Sequence, residues 1–264
     1  MHQLSANLDQ DVRIGLCRLC LDPVAVLRHS HYLPKGVYRL LRDEQAPNPN
    51  PVLLTERIAV PTSKQITAEL LCDDCEKRLS DNGENWVLQH CPRRGNFKLA
   101  SILDAESPSE TSSDTKVYLA GHIPQIDVAA LAYFGTSVFW RGSIHAWNDN
   151  GSIPVSLGPF AESFRRYLLG EEPFPTHAAL WVAVREKSQV ERLTFAPVGG
   201  RAGNFHSHRF PMPGFGFTLF TGKNIPENVR GACIVHGSGN PLIRTSLFEQ
   251  PLLSQALEMA RKHR

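Results

Sequence analysis

Four cysteines stand in two C-x2-C pairs, Cys17-Arg-Leu-Cys20 and Cys72-Asp-Asp-Cys75. Two such pairs, brought together, supply the tetrahedral sulfur set that a structural Zn²⁺ takes, with Cys17, Cys20, Cys72 and Cys75 as ligands. Between the pairs lies Ser30-His31-Tyr32-Leu33-Pro34-Lys35. An imidazole with an unperturbed pKa of about 6.5 is suited to moving protons near neutral pH, which makes His31 a candidate general base. Glu76 follows the second pair directly, and its carboxylate is a natural ligand for a hard cation such as Mg²⁺ or Mn²⁺. Each has a structural alternative. His31 can bond a backbone carbonyl or serve as a fifth candidate metal ligand, and Glu76 can be a solvated carboxylate favoured by the dipole of a helix start.

The elements that must position these groups are short. The first pair sits on a small apolar turn, and Val24–Leu27 reads as the returning strand or the start of a short helix. Val37–Leu41 has helical spacing, and Gln45–Pro51, with three prolines, reads as an inserted loop. Leu53–Val60 is a candidate strand. Glu76 to Leu79 opens a helix that places the second pair at its N-terminus, and Glu84–Leu88 continues it or starts another. Cys91 and Cys233 stand alone and read as small buried hydrophobes.

Residues 105–116 are rich in Ser, Glu, Asp and Thr and read as a linker, dividing the chain into a zinc-binding unit over 1–104 and an α+β domain over 117–264. In the second part the spacing predicts a buried helix over 126–140 and a second over 160–169 with Gly170 as its cap. Strands are expected at 178–184, 193–198, 215–221 and 232–236, and an amphipathic helix at 252–260 with a basic end. His206 and His208 alternate on a possible strand, where a shared face would let them hold a metal.

Across 264 residues the net charge is +2 and 42% of residues are apolar, which fits a globular class and does not by itself point to a polyanionic partner. Six cysteines are too few for a disulfide scaffold, and their pairing suits a reducing compartment. The N-terminus has no basic segment followed by an apolar run, and no stretch reaches the roughly 18 apolar residues of a membrane span, so a cytoplasmic location without membrane contact is expected.

Cys17-x2-Cys20, Ser30-His31-x2-Pro34 and Leu71-Cys72-x2-Cys75-Glu76 together resemble the zinc-ribbed HNH endonucleases, over about the first ninety residues. That family reads C-x2-C, then Asp-His-x-x-Pro, then Asn-Leu-x-x-Leu-Cys-x-x-Cys-His. The resemblance implies a treble-clef (ββα-metal) fold, structural Zn²⁺, and hydrolysis of DNA phosphodiesters with His31 as base and Mg²⁺ or Mn²⁺ near Glu76. It loosely implies a role in defence against foreign DNA. Three positions depart from the pattern: Ser30 replaces the acid before the base, Thr67 takes the place of Asn, and Glu76 that of the final His. Lys35, Arg93 and Arg94 are the candidate phosphate contacts, and residues 117–264 the candidate site for a protein partner or substrate. The alternative function is a non-catalytic zinc module that binds nucleic acid or protein.

Overall fold

The computed structural model describes residues 13–42, 44–54, 59–93, 95–147, 153–185, 194 and 197–245. Strand β1 (Ile14–Gly15) leads into the turn that carries Cys17 and Cys20, and β2 (Ala25–His31) returns from it. Helix α1 (Lys35–Leu40) starts directly after Pro34, whose fixed φ of −49° and extended ψ mark the boundary. Next come the antiparallel hairpin β3 (Val52–Leu54) and β4 (Ala59–Pro61), then β5 (Thr67–Cys72). The candidate strand at 53–60 is therefore a hairpin, with its tip at 55–58 outside the described residues. Strands β1, β2 and β5 form one antiparallel sheet in that order.

Helix α2 (Asp73–Leu79) begins where β5 ends. Asp73, Asp74 and Glu76 occupy its first turn and Lys77 and Arg78 its last, an order that complements the helix dipole. It runs through a π turn at Ser80–Glu84 into α3 (Asn85–Gln89), so Glu84–Leu88 does continue the helix. Hairpin β6 (Pro92–Arg93) and β7 (Asn96–Phe97) follows, then α4 (Lys98–Asp104).

The Ser- and Thr-rich segment 105–116 carries β8 (Glu110–Thr111), and β9 (Thr115–Leu119) starts inside it. Both pair at one edge of a larger sheet. Helix α5 (Val128–Ile144) is capped by Asp127, whose carboxylate accepts from the Ala130 N–H at 2.8 Å. Helix α6 (Ala161–Leu169) ends on Gly170 at φ +75°, as the glycine predicted. Then come β10 (Ala178–Arg185), β11 (Val198–Ala202), β12 (Phe205–Met212), β13 (Phe215–Thr221), α7 (Glu227–Gly231) and β14 (Pro241–Thr245). The seven strands run in the order β11-β12-β13-β10-β14-β9-β8, with β10 and β14 parallel and their other neighbours antiparallel.

Two expectations fail here. The strand expected at 193–198 begins only at its last residue, with Thr194 and Pro197 outside any strand and 193, 195 and 196 outside the described residues. Residues 232–236 are not a strand: they leave α7 in turns, with His236 at φ +79° and the Gly237 N–H bonded to the Cys233 carbonyl at 3.0 Å. The space a Gly237 side chain would need is taken by that carbonyl, 2.3 Å from an added Cβ. The apolar side chains of the segment still point inward, with Cys233 and Ile234 buried, so apolar composition was satisfied without a strand. The expected helix at 252–260 lies outside the described residues.

The fold is thus mixed α and β, and one continuous cluster of buried side chains runs from Cys17, Leu19 and Tyr32 through Phe134 and Phe139 to Phe217. Helix α5 is its axis, buried at every position from Ala130 to Gly142. Polar ties reinforce the packing: Tyr133 donates to the Leu168 carbonyl at 2.6 Å, and Arg78 reaches from α2 to the Leu169 carbonyl at 3.1 Å. Cys91 and Cys233 are buried, each bonded to a backbone carbonyl one turn back. Burial raises both thiols, Cys233 to about 12.

Candidate functional site

Sequence-distant cysteines meet because β5 pairs with β2. Leu27 lies opposite Cys72, which brings the start of α2 against the turn that carries Cys17 and Cys20. All four Sγ atoms lie within 4.8 Å of one another, and Cys20 and Cys72 are 3.9 Å apart. A tetrahedral zinc with bonds of about 2.3 Å sets its sulfurs about 3.8 Å apart, so the cluster can hold a metal ion such as zinc. Cys17 Sγ accepts the Cys72 N–H at 3.3 Å. A hydrogen bond with Cys75 holds the Cys17 thiol down to about 4 against the effect of burial, and the same contact drives Cys75 up. Arg165 on α6 donates to the Leu19 carbonyl at 2.6 Å, tying the cysteine turn to the second half of the chain.

A cleft of about 360 Å³ opens beside the start of α2. His31 reaches it from the end of β2 and Glu76 from the first turn of α2, with Lys35 and Lys77 at the same opening. Ser80, Glu84 and Arg141 complete its lining together with Pro34 and Asp73. The two candidate catalytic residues, 45 positions apart in sequence, therefore share one cavity. Thr67 lies directly opposite His31 in the β2–β5 register.

Glu76 Oε1 is buried without a hydrogen-bond partner. Burial pushes its carboxyl above the usual range, and the nearby Arg141 charge and the Ser30 hydroxyl partly offset this. Ser30 is fully buried, and its hydroxyl accepts from the Leu71 N–H at 3.1 Å. It braces β2 against β5 and is not a free ligand. Lys77 is ion-paired with Asp81 on the exposed side of the helix.

Glu84 owes its place to the π turn. An α-helix advances about 100° per residue, so eight residues would leave Glu84 about 80° around from Glu76. The Asn85 N–H bonds to the Ser80 carbonyl, and this i→i+5 closure winds less per residue. Glu84 is carried back over the cleft, where it pairs with Arg141.

Among the remaining candidates, Arg93 is exposed on the β6–β7 hairpin, away from the cleft lining, and Arg94 lies outside the described residues. His206 and His208 do share a face of β12, with ring centroids 6.4 Å apart. His208 is buried with Nε2 against the Ser156 carbonyl at 3.1 Å, and among the described residues only the four cysteines form a metal-competent group of three or more. Arg141 was not singled out as a site residue. Its signal in the sequence is the lone charge in the apolar run 128–144.

No protein-family profile matches the chain, and comparison with curated proteins and with solved structures finds no match. The site therefore rests on its own geometry. Among the described residues no helix is long and apolar enough to cross a membrane.

Proposed function

We propose that the first part of the chain is a zinc-stapled treble clef of the HNH type and that the protein hydrolyses DNA phosphodiester bonds in the cleft beside it. The observation that carries this reading is the convergence of His31 and Glu76 on one cavity lined by Lys35 and Lys77. It is supported by the order of parts: a cysteine turn, paired strands with His31 at the end of one, and a helix bearing the second cysteine pair and Glu76. In this reading His31 takes a proton from water, the water oxygen bonds to phosphorus, and the bridging P–O bond breaks toward a leaving oxygen that is then protonated. Lys35 holds a flanking phosphate. Glu76, with an unpartnered buried oxygen, is the group available to Mg²⁺ or Mn²⁺, which when bound offsets charge developing on the phosphoryl oxygens. The protein would act in the cytoplasm, with defence against foreign DNA as its use and a protein partner met through residues 117–264.

A second reading, a zinc module that binds nucleic acid or protein without cutting, is favoured by one observation: Glu84 is already engaged by Arg141 and Ser30 by the backbone. That leaves Glu76 with little help in holding a cation. The two readings separate on supercoiled plasmid with Mg²⁺ or Mn²⁺. The nuclease reading expects nicking by the parent, lost in His31→Ala and reduced in Glu76→Ala. DNA retention without nicking, unchanged in His31→Ala, supports the binding module instead.

A further inference from the structure

Helix α5 carries a single full charge, Arg141, set among Val138, Phe139 and Trp140 in the core. Its side chain is only 1% exposed. A buried ion is costly unless its partners are well placed, and a Leu or Met would fill such a position without that cost. The partners of Arg141 belong to the cleft. Nη1 donates to the main-chain carbonyl of His31 at 2.8 Å, while Nη2 pairs with Glu84 and also donates to Ser137 Oγ at 3.3 Å. Nε is buried without a partner. With both terminal nitrogens engaged and the group sealed from solvent, Arg141 is not placed to take a substrate phosphate.

The backbone around it is equally constrained. An added Cβ at Gly83, in the π turn, would lie 2.8 Å from the Phe134 backbone nitrogen, and one at Gly142 would lie 2.7 Å from the Tyr32 hydroxyl. These close approaches bracket Arg141: one seats the π turn on α5 and the other seats the residue after His31. Trp147 completes the frame by stacking on Tyr32, centroids 4.8 Å apart and planes at 10°, and donating to the Arg141 carbonyl at 2.7 Å.

We infer that Arg141 is a positioning residue, a two-pronged strut from α5 that fixes the His31 main chain and the Glu84 carboxylate relative to each other. It makes α5, in the second half of the chain, a working part of the cleft. By holding Glu84 it leaves Glu76 as the carboxylate open to a ligand. The consequence for catalysis rests on the nuclease reading, whereas the positioning of His31 can be measured without it.

The test uses the whole chain, zinc-loaded, with Arg141→Lys and Arg141→Met, and Arg141→Ala for chemical rescue. By NMR, the His31 ring and amide resonances shift in both variants while those of His206 on β12 stay in place and zinc content is retained. In nicking assays kcat falls on the order of a hundredfold, the scale of a small misplacement of reacting groups, with KM for plasmid unchanged. Lysine does not restore the rate, because one ammonium cannot reproduce a fork, whereas added guanidinium partly rescues Arg141→Ala. Unmoved His31 resonances, parental nicking by Arg141→Lys, or a loss seen only in KM overturns the proposal. If the parent itself does not nick DNA, the nuclease reading fails and the His31 resonances alone decide the positioning. If the variants do not fold, the parent decides: a fixed strut gives resolved, slowly exchanging guanidinium signals for Arg141, and averaged ones overturn it.

Discussion

The cysteine cluster and the cleft share helix α2 but are built in different ways. The cluster draws on two spacings of three residues and one strand pairing, so its four sulfurs meet once β2 and β5 are in register. The cleft draws on three layers: β2 supplies His31, the α2 and π-turn helix supplies Glu76 and Glu84, and α5 supplies Arg141. A compact metal site needs only local order, whereas the cleft depends on how the two parts of the chain pack. Perturbations should therefore separate them.

The largest effect belongs to the metal. Cys75→Ser, or a strong chelator, should reduce zinc from about one per chain to near none and unfold the first ninety residues, since structural zinc in small sites contributes folding energy on the order of 10 kcal/mol. Elemental analysis with circular dichroism checks this, and a folded metal-free protein would break the comparison. Glu84→Ala comes next. It strands the buried Arg141 charge and should cost about 3–5 kcal/mol in denaturant unfolding while zinc binding persists. Gly83→Ala should cost about 1–3 kcal/mol, because the new methyl meets the Phe134 backbone and one element must shift. Nicking should fall with it, again at constant zinc.

Smaller still is a pH effect remote from both sites. Burial holds the His208 imidazole below its usual range, so the unfolded chain takes up a proton first as pH falls through about 6.5. His208 therefore imposes no penalty above that pH and lowers stability below it. Melting temperature should drop from pH 7 to pH 5.5, with a shallower drop in His208→Gln. The smallest effect is Arg93→Ala, which should leave stability within about 0.5 kcal/mol and nicking unchanged, because Arg93 is exposed on a separate hairpin.

The same contrast governs what the sequence reveals. The cysteine pairs, the buried α5 and the Gly170 cap are local patterns, and the structure carries each as expected. His31 and Glu76 were legible as residue types placed around those pairs, but their common cavity needed the β2–β5 register. Arg141 reaches partners 110 and 57 residues away, a distance at which spacing says nothing, and only its oddity in an apolar run hinted at a role. Residues 232–236 misled because an apolar run reports burial and not conformation. The strand next to them, β14, opens on Pro241, the first-residue position at which a strand tolerates proline.

The most direct measurement is the rate of plasmid nicking by parent and His31→Ala at equal zinc content, with Mg²⁺ or Mn²⁺ supplied. The account predicts cutting by the parent and a loss of about a hundredfold or more in the variant, with zinc and melting temperature unchanged. Equal rates in the two proteins, or no cutting by either, would contradict it.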